Sequence, residues 1–514
     1  MKLYKLFRVL RSIKLLSPLA LCRLFSSIHR HGVNLMALLR FSARTYGERV
    51  ALADERERLT YSELYEEAAA LSEELVAKYA LGNGRRVGLL CRNHASLVKA
   101  LFAVSAAGAD LYPLNVEMSA GQLKGIVERR PFDLLIADHD LGPLLDRAAY
   151  AGHVLWSCHD AEPSVNRLAR HRYGHWRGRR TSAGRLVLLT GGTTGQPKEA
   201  LHRPSLFHYL NPFHDFLSRL NILQHQTAYI ATPIYHGYGI AVLLLFCAAG
   251  KQVVLQQGFD ARRACRLIRE HQVEVATVVP LMLQRLLRTN AGDLQSLACI
   301  ACGGAELSPR LVQETRDALG DVLYNLYGTS EAGLLTIADP QDLAGDPRTV
   351  GRRITGVRLC VVDERMREAA TGQIGQLGLD PGWSRRHRAD AWLVTGDMGW
   401  RDERGCYYVS GRIDSMIVSG GENVYPLDVE QVLLAHPQVE DAAVVGVCDE
   451  QFGQRLRAYV QLAEEAAATE AELLDWLRPR LARYQLPREI RFVAQLPYTP
   501  VGKRDRKRIA AMEE

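Results

Sequence analysis

From residue 60 to residue 302, short apolar runs alternate with amphipathic stretches of helical length, and this alternation restricts the chain to few folds. The runs are 87–91, 134–137, 154–157, 186–189, 229–232, 253–256, 273–279 and 298–302. Helical stretches between them include 95–107, 119–129 and 260–271. Apolar strands that alternate with helices form parallel sheets, because each crossover helix covers a sheet face. The expected fold is therefore α/β, with a large N-terminal domain of layered, mostly parallel sheets and helices. One helix, over 60–80, marks its own start: Thr60 can accept from the amide of Glu63 while the Glu63 carboxylate reaches back to Thr60. After Gly411 the elements shorten, with a helix at 426–435, a strand at 457–461, a helix near 469–482 and a strand at 489–493. That restart predicts a second, small α+β domain of about a hundred residues. The whole length of 514 residues then divides into a leader over 1–40, an N-terminal domain over 41–411 and a C-terminal domain over 412–514.

Charge separates the leader from the body. The formal net charge is +7, yet the first forty residues carry Lys2, Lys5, Arg8, Arg11, Lys14, Arg23, Arg30 and Arg40 and no acid, so the rest is close to neutral. A neutral body with one basic end argues against a nucleic-acid partner. On a helical wheel of residues 2–13, Leu3, Leu6, Phe7, Val9, Leu10 and Ile13 take one half and Lys2, Lys5, Arg8 and Arg11 the other. Such a helix suits an anionic membrane interface, and a membrane surface is the partner expected for residues 2–16. A helix packed on its own protein and a targeting signal remain the alternatives. The apolar stretch 15–21 contains Pro18 and is too short to span a bilayer. Ten scattered cysteines in a chain of this size suit a reducing compartment, so the expected location is cytoplasmic, on the inner face of the membrane if the leader binds it. Cys299 and Cys302 have no second pair beside them and lie in an apolar run, which predicts a buried strand rather than a metal site.

The sharpest local signal is Thr190-Gly-Gly-Thr-Thr-Gly-Gln-Pro-Lys198, directly after the run 186–189. Glycines let backbone amides turn toward an anion, and hydroxyls with one lysine add donors, so the loop suits phosphates. A plain Gly/Thr turn is the competing reading. It is not a Walker A loop, because Pro197 precedes Lys198 and Glu199 follows it.

This loop resembles the phosphate-binding signature of the adenylate-forming superfamily, which comprises acyl-CoA synthetases, adenylation domains of peptide synthetases and luciferases. Further segments resemble that family in its own order: Pro233-Ile-Tyr-His-Gly-Tyr-Gly239, Gly303-Gly-Ala-Glu306, Asn325-Leu-Tyr-Gly-Thr-Ser-Glu331, Thr395-Gly-Asp397, Gly411-Arg-Ile-Asp414, Ser419-Gly-Gly-Glu-Asn-Val-Tyr-Pro426 and Pro500-Val-Gly-Lys503. The resemblance implies that Thr190, Gly191, Gly192, Thr193, Thr194, Gly195 and Lys198 hold the ATP phosphates. Gly304, Ala305, Glu306, Asn325, Tyr327, Gly328, Thr329, Asp397 and Arg412 are implied on the nucleoside side of ATP or AMP. Thr193 and Glu331 are implied for Mg2+, and Ser419, Gly420 and Gly421 for coenzyme A. Lys503, His236 and Glu331 are the implied catalytic residues, and Asp414 the hinge about which the small domain turns. Two positions depart from the family pattern: Gly191 stands where serine is usual and Glu199 where glycine is usual.

The implied activity is an ATP-dependent acid–thiol ligase, an AMP-forming acyl-CoA synthetase, which makes an acyl-AMP with pyrophosphate release and then an acyl-CoA. The alternatives are loading of an acyl-carrier protein, or a catalytically weak acyl- or nucleotide-binding homologue. Amino-acid adenylation domains place an aspartate in the segment held here by residues 234–236, and none is present. The run 240–246 can line an apolar acyl pocket or form a buried core helix. With the basic leader, these features lead to the expectation of a medium- or long-chain fatty acid substrate.

Overall fold

The structure is a computed structural model. It describes residues 17–160, 163–170, 178, 180–182, 184–191, 197–202, 214–329, 332–379, 392–419, 422–449, 453–499 and 502–513, with backbone alone at 188–191, 197–202, 423, 453, 507 and 513. Two units divide the chain: Met1–Val278 with Gly292–Cys299, and Val279–Ala291 with Ile300–Glu514.

The first unit opens with helices Pro18–His31 (α1) and Leu35–Tyr46 (α2) and strands Val50–Ala53 (β1) and Arg58–Thr60 (β2). Helix Tyr61–Tyr79 (α3) starts on the expected reciprocal cap: Thr60 N donates to Glu63 Oε2 at 2.8 Å and Glu63 N to Thr60 Oγ1 at 3.2 Å. Next come Arg86–Leu90 (β3), Ala95–Ala107 (α4), Asp110–Pro113 (β4), Ala120–Arg129 (α5), Leu134–Asp138 (β5) and Val154–Ser157 (β6). Then follow Leu186–Gly191 (β7), Pro197–His202 (β8), Thr227–Ile230 (β9), Gly237–Ala248 (α6), Gln252–Leu255 (β10), Ala261–Glu270 (α7) and Val275–Val278 (β11). One sheet runs β6-β5-β3-β4-β7-β8 and a second contains β11-β9-β10-β1-β2. Neighbours are parallel except at the edges, where β8 pairs antiparallel with β7 and β2 with β1.

Helix α4 is buried along its whole length, as its all-round apolar composition requires. Its start is fixed by His94, whose Nδ1 accepts from Leu97 N at 3.1 Å, so that Nε2 carries the proton and donates to Asp138 Oδ1 at 2.7 Å. Asp138 Oδ2 takes the Arg92 amide at 3.0 Å. Burial pushes the Asp138 carboxyl up, but these donors outweigh it and hold the group below its ordinary range. Cys91 completes a buried cluster with His94 and Asp138, and the hydrogen bonds above already engage its imidazole and carboxylate.

The second unit is built differently. It holds Pro280–Asn290 (α8), most of Cys299–Gly303 (β12), Pro309–Leu319 (α9), Leu323–Thr329 (β13), Gly333–Ala338 (β14), Gly351–Arg353 (β15), Leu359–Val362 (β16), Gly375–Leu379 (β17), Leu393–Arg401 (β18) and Cys406–Arg412 (β19). Their order is β16-β17-β18-β19-β15-β14-β13-β12. Only β12 and β13 pair in parallel, and the other pairs are antiparallel. The expectation of mostly parallel sheets thus describes the first unit, whereas this region lacks the long crossover helices that parallel pairing needs. Cys299 and Cys302 lie buried in β12, their thiols pushed up by burial, as a structural strand demands.

After Gly411 come Ile417–Ser419 (β20), Glu422–Val424 (β21), Pro426–Leu434 (α10), Val439–Asp449 (β22), Gly453–Leu462 (β23), Glu470–Leu477 (α11) and Glu489–Phe492 (β24). They form the α+β assembly expected after Gly411, around a core that includes Val429, Leu433, Val444, Leu456 and Leu473. The expected boundary at 411–412 falls at the end of β19, inside the second unit. Among the described residues no helix is long and apolar enough to cross a membrane.

Candidate functional site

In the second unit, strands bring together three side chains from separate parts of the sequence. Tyr327 stands on β13, Asp397 on β18 and Arg412 opposite Asp397 at the end of β19. Tyr327 Oη donates to Asp397 Oδ2 at 2.5 Å, and Arg412 Nη1 lies 3.4 Å from Asp397 Oδ1. Arg412 also grips Asp414 with two bonds, Nε to Oδ1 at 2.9 Å and Nη2 to Oδ2 at 3.1 Å. Gly396, at φ +81°, lets this happen: a Cβ there would sit 3.0 Å from Arg412 Nη2. Asp397 is buried, and desolvation raises its pKa against the opposing pull of Tyr327, Arg412 and Lys503. Each of its oxygens has one protein neighbour and a further lone pair, so the carboxylate can still accept two hydroxyls.

Lys503 acts on the same cluster, and its charge and that of Asp397 stabilise each other. Much of the Lys503 side chain is open to solvent, yet protein crowded about its ammonium lowers its pKa by desolvation, with Asp397 pulling the other way. Its loop is tied tightly. Lys503 N donates to Thr499 Oγ1 at 3.1 Å, Thr499 N to Lys503 O at 2.7 Å and Gly502 N to Thr499 O at 2.8 Å. Gly502, at φ +75°, has Val279 Cγ2 only 2.5 Å from where a Cβ would lie. Next to it, Arg504 binds Glu430 Oε2 at 2.9 Å and Asp441 Oδ1 at 2.8 Å and reaches Glu306 Oε2 at 3.4 Å. In the sequence Arg504 carries no motif signal beyond its place next to Lys503. Burial pushes Glu306 up to about 7, with Arg504 pulling down and Glu430 pushing up.

The other residues expected on the nucleoside side lie on or beside β12 and β13. Gly304, Ala305 and Glu306 follow β12, whose neighbour β13 carries Asn325, Tyr327, Gly328 and Thr329. Asn325 is buried and donates to Thr349 O at 3.1 Å, a bond that braces the strand. Thr329 Oγ1 accepts from Ala332 N at 3.1 Å. Ser419 is buried at the end of β20.

In the first unit, the glycine-threonine segment joins β7 to β8, and Thr190 pairs with Lys198 and Gly191 with Pro197 across the hairpin. Gly192, Thr193, Thr194 and Gly195 lie outside the described residues, as do Glu331, Gly420 and Gly421. His236 precedes α6, its ring centroid 4.6 Å from that of Tyr235. Asn93, which has no motif signal, holds this loop: its Nδ2 donates to Thr232 O at 2.9 Å and Ile230 O at 3.3 Å, and its Oδ1 accepts from Ile234 N at 2.8 Å. Helix α6 is buried over most of 240–247, so that run serves the core of its unit.

A family model described as AMP-binding enzyme matches residues 39–380, and one described as AMP-binding enzyme C-terminal domain matches 428–503. The chain is 31% identical over 491 residues to a 2-succinylbenzoate–CoA ligase of Geobacillus kaustophilus, covering 91% of this chain and 96% of that one. It is 29% identical over 486 residues to the fatty acid–[acyl-carrier-protein] ligase ScoC of Streptomyces coeruleorubidus, covering 88% and 91%. The structure resembles that of o-succinylbenzoate CoA synthetase from Bacillus subtilis in complex with its acyl-adenylate intermediate, with a TM-score of 0.78, 25% identity and coverage of 92% and 97%.

Proposed function

Because the chain belongs to the AMP-binding enzyme family, we propose that it is an acid–thiol ligase that joins a carboxylic acid to coenzyme A through an acyl-adenylate, with magnesium-bound ATP as co-substrate. The observation that carries this reading is the cluster of Tyr327, Asp397 and Arg412 with Lys503 acting on it. It offers a buried carboxylate for ribose hydroxyls and a lysine for developing negative charge.

In the first step a carboxylate oxygen of the acid attacks the α-phosphorus, the bond to the β-phosphate oxygen breaks, and pyrophosphate leaves. Asp397 accepts the ribose hydroxyls, Tyr327 and Arg412 hold that carboxylate in place, and Lys503 bridges the attacking oxygen and the phosphate. Thr190, Gly191 and Lys198, with the loop between them, would take the β- and γ-phosphates, and Glu331 with Thr193 would hold the magnesium, whose charge would offset that of the phosphates. In the second step the thiol attacks the acyl carbonyl and AMP leaves. The segment after residue 411 turns about Asp414 between the steps, which withdraws Lys503 and brings Ser419 and its glycines to the thiol.

For the acid, His236 and Tyr235 stand at the acyl end. The 2-succinylbenzoate ligase supports an aromatic acid, and the carrier-protein ligase supports a fatty acid and an acyl-carrier protein as acceptor. We favour coenzyme A as acceptor and a medium- or long-chain fatty acid, met at the inner face of a membrane to which the basic leader binds. The deciding experiment supplies purified protein with ATP, Mg2+ and a panel of fatty, aromatic and succinyl-aromatic acids. Pyrophosphate release with a fatty acid, and a thioester only when coenzyme A is added, is the expected result. Release only with aromatic acids would move the substrate class, thioester on a carrier protein alone would move the acceptor, and no release with any acid would leave a binding protein.

A further inference from the structure

Helix α1 turns an apolar face outward. Ala20, Ser27 and His31 are buried, whereas Leu19 is 60% exposed, Leu21 37% and Phe25 67%. Val33, just past the helix, is 64% exposed. At about 100° per residue, Leu21, Phe25, Cys22 and Leu19 fall within one arc of roughly 160°, which they share with Ser26 and His29, so the apolar side chains form the larger part of one face. Basic residues border it: Arg23 and Arg30 lie beside Leu19 on the wheel, and Arg44 is exposed on the next helix. No acid occurs before Glu48.

That charge pattern selects the occupant. A second copy would set this acid-free segment against itself, cation facing cation, whereas an anionic lipid surface supplies both the apolar layer and the counter-charge. Ser17 caps α1 through the Ala20 amide, and Pro18 sits in its first turn, so the helix begins where the basic amphipathic sequence of residues 2–13 has just ended. We infer that the outward face of α1 docks on an anionic lipid bilayer, with Leu19, Leu21 and Phe25 entering the headgroup boundary and the arginines lying at the level of the lipid phosphates. This extends the leader reading proposed above to a second surface and rests on it.

The test is cosedimentation of the full chain with phosphatidylcholine vesicles made with and without phosphatidylglycerol. Wild-type protein is expected to bind only the anionic vesicles and to leave them at high salt, because screening removes the charge attraction. A Leu19→Ser, Phe25→Ser variant, altered only at exposed positions, is expected to bind about tenfold or more weakly with unchanged pyrophosphate exchange, since the apolar contribution scales with buried area. Undiminished binding of that variant would overturn the proposal, and loss of binding on deletion of residues 1–16 would then leave the leader reading standing alone. If the wild type binds no vesicle, both fall. If sedimentation velocity shows a dimer that the double variant dissolves, with vesicle binding unchanged, a second copy covers the face and the lipid proposal is wrong.

Discussion

Burial is the largest influence on both Lys503 and Glu306, and it moves the two groups in opposite directions. Lys503 gains from Asp397 and loses from desolvation, and its role in the proposed reaction belongs to the first step alone. Lys503→Ala is therefore expected to cut acyl-adenylate formation by a factor of about a hundred or more, in the range found for a lost transition-state donor, while thioester formation from supplied acyl-adenylate stays near wild type. Equal loss of both half-reactions, measured separately by quench, would contradict that assignment. Glu306 is governed by burial, which raises its carboxyl from 4.5 to about 7. The folded state then holds a proton that the unfolded chain has released, so this group's favourable contribution is full below pH 4.5 and is lost as pH rises through 7. Glu306→Gln should remove that loss: its melting temperature, compared with wild type from pH 5 to 8, should gain on it steadily, by up to about 3 kcal/mol of stability. The neighbouring charges are Arg504, Glu430 and Arg506, and a flat difference across the range would mean they, and not burial, control the site.

Elements were legible where their signals are local. The cap of α3 and the apolar course of α4 depend on neighbours within one or two helical turns, and both formed where the residue pattern put them. Of the long antiparallel pairs β18–β19 and β22–β23, the residue pattern marked only 457–461 within β23. Their strands are interrupted by polar and glycine positions, and what pairs them is a partner strand rather than their own periodicity. Asn93 belongs to the same class. It is an ordinary polar residue in sequence, yet three buried hydrogen bonds make it the brace of the loop ahead of His236. Asn93→Ala is expected to cost about 2–4 kcal/mol in urea unfolding, because it leaves buried backbone groups unpaired. It should also raise KM for the acid more than KM for ATP, which separates a loosened acyl-side loop from general destabilisation.

At the scale of the molecule, ligand linkage tests whether the separate motifs act on one nucleotide. A ligand that binds only the folded state at a hundred times its Kd stabilises by about 2.7 kcal/mol. Magnesium ATP should therefore raise the melting temperature of the wild type, and Asp397→Ala should abolish most of that shift while its ligand-free melting temperature stays close to wild type or rises, given the burial strain on the carboxylate. An undiminished shift would remove Asp397 from the nucleotide site. The amino-acid sequence by itself determined the alternation of strands and helices in the first unit and the helix cap at Thr60, because each is set by interactions between residues close along the chain. Only the tertiary structure decided that Tyr327 meets Asp397 from 70 positions away, that Arg504 is planted in buried acids beside Lys503, and that the strands from β13 to β19 pair antiparallel. Those outcomes rest on strand pairing and burial between distant segments, whose energies no local pattern encodes.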